Sequence, residues 1–303
     1  MNPTPEDMAR LLDAHPDYRV LRRLQPRTSF HPPVDGLRCA RGIVLDTETT
    51  GLSSETDRVI ELGMLLFEFD PATGHVYRVL EVFDELEDPG FPIPPATTAI
   101  HHITDAMVQG RRIDDAKVAN LLEGVSVVIA HNAGFDRPFV EQRWPIFEEV
   151  LWACSIRDID WRAEGFGSAK LEYLLQTQGI FYEAHRAETD CWALLELLNH
   201  HLPQSQQPAL LSLLETLNQP QLKLSALGSP FETKDLLKQR GYRWSAEQRC
   251  WSRLLSGEQA LEEELNWLKR RVYGQRGAQV EVETLGGTIR YSNRQGQKKL
   301  IAV

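Results

Sequence analysis

The chain places an uninterrupted apolar run, Gly42-Ile43-Val44-Leu45, directly before two carboxylates, Asp46 and Glu48. An apolar run without alternation predicts a strand buried on both faces at the centre of a sheet, here ending at Asp46 before a TETTGL turn. Extended backbone puts residues two apart on one side, so Asp46 and Glu48 can reach one site. Asp, Thr and Gly are also common turn formers, so the pair carries chemistry only if other acids converge on it.

The surrounding pattern is α/β. Val59 to Phe69 (VIELGMLLFEF) predicts a second strand, the DPATG turn closes a hairpin, and His75 to Phe83 returns as a third. Thr104 caps a helical patch, a helix covers Asp114 to Glu123, and Ser126 to Ala130 reads as a fourth buried strand. A helix at Asp136 to Trp144, a short fifth strand near Trp152 to Ile156, and helices near Ala169 to Gln176 and Arg186 to His201 complete a mixed-sheet order. Ahead of this body, residues 5 to 13 put Met8, Leu11 and Leu12 on one helical face, and a second short helical pattern runs through Val20, Leu21 and Leu24. At 303 residues the chain exceeds one compact α/β unit. The boundaries read as a helical N-terminal extension at 1–38, the main domain at 39–202, a linker with a short helix at 203–220 (PQSQQP at its start), and a C-terminal module at 221–303.

Four dispersed cysteines without CxxC spacing indicate neither a zinc knuckle nor a disulfide framework. No stretch is long and apolar enough for a membrane span, and the N-terminus lacks a basic segment followed by an apolar core, so no membrane partner and a cytoplasmic location are expected. The net charge of −10 divides unevenly: residues 1 to 219 carry 18 Lys+Arg against 34 Asp+Glu, whereas residues 220 to 303 carry 15 against 9. An acidic body that gathers divalent cations joined to a basic appendage that holds a polyanion fits this asymmetry, as does ordinary variation of a solvated surface.

Two further segments bear on Asp46 and Glu48. HNAGFD places Asp136 just after the fourth buried strand, whose carboxyl end can open into the same crevice as the first. Asp136 can equally cap a helix starting at Arg137-Pro138. HRAETD places His185 before a helix and Asp190 in its first turns, a spacing that does not make a helix-surface pair.

In this order and spacing, DTETTG, HNAGFD and HRAETD resemble the three motifs of the DEDDh (DnaQ-like) 3′-to-5′ exonucleases, a family that includes the DNA polymerase III epsilon subunit and exonuclease X. The resemblance covers Arg41 to His201 and extends to VIELGMLLF, AIHHIT and AKLEYLL. It implies a ribonuclease H-like domain with a five-stranded mixed sheet whose second strand is antiparallel. It also implies a metal-dependent exonuclease that hydrolyses DNA from a free 3′ end to nucleoside 5′-monophosphates. Asp46, Glu48, Asp136 and Asp190 would be ligands to two divalent cations, Mg²⁺ or Mn²⁺, which suit hard oxygen donors. His185 would be the general base, imidazole titrating near working pH, with a helix-start hydrogen-bonding role as the alternative. By the same resemblance Thr47, Thr49, Gly51, Leu52, His101, Asn132 and Phe135 would contact substrate. His102 stands where the family more often has glycine. Related enzymes trim short RNA, and others act with a polymerase or repair partner, so an exoribonuclease and a proofreading or binding subunit are the competing readings.

The C-terminal stretch predicts a small basic α+β module: a helix with Lys234 and Leu237, a Gly241 turn, strands at Trp244 and Trp251, and a hairpin about Gly286-Gly287. Its interleaved Tyr242, Arg243, Trp244, Arg249, Trp251 and Arg253 suit either a single-strand platform or a small core that needs its tryptophans.

Overall fold

The structure is a computed structural model that describes residues 3–32, 39–246, 248–274 and 277–303. It divides into two units, Met1–Leu214 and Glu215–Val303. Residues 1–2 and 33–38 of the expected N-terminal extension lie outside the described residues.

In the first unit, α1 (Pro5–Asp13) precedes β1 (Arg22–Arg23), which pairs in parallel with β7 (Ile180–Phe181). The short helix expected through Val20 to Leu24 is therefore a strand. The Arg22 N–H donates to the Gly179 carbonyl and the Leu24 N–H to the Phe181 carbonyl, bonds a helix would have spent internally.

The main sheet has the order β4 (Val76–Leu86), β3 (Val59–Phe69), β2 (Ala40–Thr49), β5 (Val125–Ala130), β6 (Trp152–Cys154). Only β3 and its two pairings are antiparallel; β2–β5 and β5–β6 are parallel. This is the five-stranded mixed sheet expected from the motifs, with β2 in the middle. Ile43, Val44 and Leu45 have no solvent exposure at all, as consecutive positions of a strand covered on both faces must. The strand does not end at Asp46. It runs on through Thr49, carried by two β-branched threonines, and the turn waits for Gly51.

Helices α2 (Pro95–His101), α3 (Asp105–Val108) and α4 (Asp115–Leu122) link β4 to β5. α5 (Ala133–Arg143) follows β5, and α6 (Leu171–Thr177) and α7 (Ala187–Asn199) follow β6. Leu194, Leu195, Leu197 and Leu198 of α7 are buried, and Cys191 of the same helix donates its thiol to the carbonyls of Val44 and Gly63.

The division between the units falls inside α8 (Ala209–Leu217). The second unit is one antiparallel sheet of five strands, ordered β12 (Gln297–Ala302), β11 (Gln279–Leu285), β8 (Gln221–Ala226), β10 (Cys250–Ser256), β9 (Arg243–Ser245). With α9 (Lys234–Gln239) and α10 (Glu258–Leu268) it encloses a core of Leu222, Leu224, Leu237, Tyr242, Leu255 and Leu268. The expected two-strand module and terminal hairpin are joined into a single sheet by β8, whose alternating Leu222 and Leu224 supply its inward face. No helix among the described residues is long and apolar enough to cross a membrane.

Candidate active site

Asp46 and Glu48 stand two apart at the carboxyl end of β2 and therefore on one face. Asp136 comes from α5. That helix begins at Ala133, with Asn132 in a left-handed conformation (φ 84°) at its N-cap, so Pro138 lies inside the helix and Asp136 does not cap it. Asp136 is 2% exposed and one of its oxygens accepts from the Thr47 N–H (3.1 Å) and hydroxyl (2.8 Å). Asp190 sits in the first turn of α7. It accepts from the Tyr182 hydroxyl (2.9 Å) and from the backbone N–H groups of His185 (2.8 Å) and Arg186 (3.2 Å). His185 itself is exposed and left-handed (φ 70°).

All five line one cavity of about 510 Å³, together with Thr47, Asn132 and Phe135. Ligand atoms of Asp46, Glu48 and Asp190 lie within 4.8 Å of one another. Of the other residues expected to touch substrate, Thr49, Gly51, Leu52 and His101 are not in this lining. The Thr49 hydroxyl donates to the Gly51 carbonyl, Leu52 is 88% exposed, and buried His101 accepts from the Ile103 N–H at Nδ1.

Two devices bring α7 against β3, beside β2. Gly63 pairs with Asp46 across the sheet, and a Cβ there would lie 2.5 Å from the carbonyl carbon of Ala187, so only glycine lets the helix start this close. Glu61, fully buried and opposite Glu48, accepts from the Ala187 N–H (3.0 Å) and from the Arg186 guanidinium (2.9 Å). It thus occupies the helix N-terminus, where the dipole favours an anion. Sequence reasoning missed Glu61, Arg186, Tyr182 and Lys170, the last being a cation in the cavity lining. A signal existed for Glu61, a carboxylate inside an apolar strand, and for Lys170, which lies in the AKLEYLL segment; for Tyr182 none did.

The electrostatics follow from gathering carboxylates in a poorly solvated cleft. Burial, then repulsion from Asp136, Asp190, Glu48 and Glu61, pushes Asp46 far above the ordinary range. Glu48 is pushed up to about 8 by burial and by Asp190, Glu61 and Asp136, with Arg186 opposing. Burial raises Asp136 to about 7 against the hydrogen bonds from Thr47, and it raises Asp190 against those from Tyr182 and the backbone. Five acids, Glu172 among them, face Lys170, His185 and His131 in the lining, and burial lowers His131 to about 4, so it adds no charge near neutral pH. A donor set of hard oxygens with uncompensated charge fits Mg²⁺ or Mn²⁺.

Residues 43–198, just over half of the chain, match the profile of the family described as exonuclease (RNase_T). The chain belongs to this exonuclease family. The DNA polymerase III subunit epsilon of Treponema pallidum is 32% identical over 174 residues, covering 53% of this chain and 77% of that protein. A PolC-type DNA polymerase III of Lacticaseibacillus paracasei is 36% identical over 107 residues, 35% of this chain but only 7% of that protein. Among solved structures, exonuclease X in complex with 5′-overhanging duplex DNA aligns with 24% identity and a TM-score of 0.40 over 56% of this chain and 99% of that one. The acidic cavity therefore lies within the residues of the exonuclease family match, in a nuclease hydrolase with an acidic cluster able to hold metal.

Proposed function

We propose that this exonuclease works in the 3′-to-5′ direction on DNA, releasing nucleoside 5′-monophosphates with two divalent cations held by Asp46, Glu48, Asp136 and Asp190. The observation that carries the reading is the convergence of these four acids and His185, drawn from β2, α5 and the start of α7, in one cavity. Bound there, Mg²⁺ or Mn²⁺ would supply Lewis acidity to the attacking water, the scissile phosphate and the leaving 3′ oxygen.

The protein's own groups do the rest. Thr47 fixes Asp136, while Tyr182 and two backbone N–H groups fix both oxygens of Asp190, so the ligand geometry is set before substrate arrives. His185, free in solvent at the rim, takes the proton of the attacking water on its imidazole and returns it to bulk solvent. Lys170, in the same lining, offsets phosphate charge, and Asn132 and Phe135 hold the terminal nucleotide. Thr49, Gly51, Leu52 and His101 lie outside that lining and carry no step. The names of the relatives, subunits and forms of DNA polymerase III, favour DNA over RNA and a polymerase or repair partner.

Asp46→Asn and His185→Ala are each expected to slow release of a 3′ label from an oligonucleotide in Mg²⁺, by roughly 10²- to 10⁴-fold for the base, with the fold retained by circular dichroism. Full activity in either variant would refute the assignment. A matched RNA strand degraded faster than DNA would transfer it to the exoribonuclease reading.

A further inference from the structure

The second unit has aromatic side chains that its core does not use. Tyr242 is buried and stacks on Trp267, and Trp251 packs against the core, which accounts for three of the aromatics in this unit. Trp244 is different. It lies on the edge strand β9, directly opposite Trp251, touches it edge-on at 5.7 Å, and remains 52% exposed. The row continues from Trp251 to Ala226, the last residue of β8. Five residues further on, Phe231 is 75% exposed, with the Lys234 ammonium 4.1 Å from its ring centre. Trp244 thus lies at the end of the sheet from which β8 leads on to the turn that carries Phe231, and the Phe231 ring has a cation over it. Arg249 lies in the turn between β9 and β10, and Arg243 precedes Trp244 on β9, so its side chain leaves on the other face of the sheet; both are exposed, and neither makes an ion pair with another described residue. Residues 220 to 303 carry a net charge of +6 in a protein whose total is −10.

We infer that Trp244 and Phe231, with Lys234 and Arg249, form a platform for single-stranded DNA distinct from the acidic cavity. Bases stack on the two rings, which accept any sequence because every base has a π-face, and the cations neutralise the intervening phosphates. A protein partner is disfavoured by the charge, since the net +6 of residues 220 to 303 suits a polyanion with apolar faces. The inference rests on the reading that the substrate is DNA.

The test uses the full chain in EDTA, which stops cleavage, and titrates a 20-nucleotide oligo-dT at several salt concentrations. Trp244→Ala and Phe231→Ala are each expected to weaken binding by roughly tenfold or more. Trp244→Phe is expected to retain most of it, and Arg249→Gln to lower the salt slope by about one. In Mg²⁺, hydrolysis of the p-nitrophenyl ester of thymidine 5′-monophosphate, too small to reach a second site, is expected to be equal in the parent and in Trp244→Ala. Unchanged affinity for the 20-mer in both alanine variants overturns the platform, as does a blunt duplex competing as well as the single strand. Loss of ester hydrolysis in Trp244→Ala overturns it too. A parent inactive on both ester and strand would contradict the nuclease reading alone.

Discussion

Asp190 is the most heavily held of the four acids, and its fixing shows how one side chain conditions another. Tyr182 donates to one oxygen, and the His185 and Arg186 N–H groups donate to the other. These bonds stabilise the carboxylate against the burial that raises it. Removing the Tyr182 hydroxyl while keeping its ring isolates that contribution. Tyr182→Phe is expected to lower kcat or metal affinity by roughly 10- to 100-fold, read as a rightward shift of the Mg²⁺ activation curve. An unchanged curve would show that the backbone N–H groups suffice. The residue scale also explains His102, which stands where the family more often has glycine. It closes α2 in the left-handed conformation (φ 60°), which glycine adopts without strain. The position is a backbone requirement.

At the scale of elements, the candidate site depends on α7 starting against β3, and Gly63 permits that approach. Gly63→Ala is expected to cost about 1–3 kcal/mol in urea unfolding, and to lower activity further, on the order of 100-fold, by displacing Asp190. Normal activity in a merely destabilised variant would mean that the helix start is not what places the acid. The five strands of the main sheet and the convergence of its acids were legible because the apolar runs and motif spacings are local signals. Two boundaries were not. The DTE segment carries turn-forming residues, yet Thr47 and Thr49 extend β2 because β3 pairs with it through Thr49. Arg137-Pro138 suggested a helix start, but α5 begins at Ala133, four residues before Arg137, and the helix accommodates the proline. Both errors came from tertiary pairing overriding local composition. Glu61 and Arg186 escaped notice because their value lies in a contact 125 residues apart in the chain.

Across the whole molecule, the acids of the cavity couple pH, metal and stability. Glu48 and Asp136 titrate near 8 and 7 when folded, as does Asp84 near 7 through burial and Glu61, against an ordinary carboxylate value near 4. The folded state therefore binds more protons than the unfolded chain between those values. Stability from these groups falls as pH rises from about 4 to 8. In EDTA the melting temperature is expected to decline over pH 5 to 8, and Mg²⁺ to raise it more at pH 8 than at pH 5; a metal-induced shift independent of pH would contradict this. The most direct measurement compares one DNA strand labelled at its 3′ end with the same strand labelled at its 5′ end, followed over time in Mg²⁺ and in EDTA. The 3′ label should leave at once as a labelled 5′-mononucleotide, the 5′ label should persist in a shrinking ladder, and EDTA should stop both. Release of the 5′ label first, or release of either label in EDTA, would contradict a metal-dependent 3′-to-5′ exonuclease.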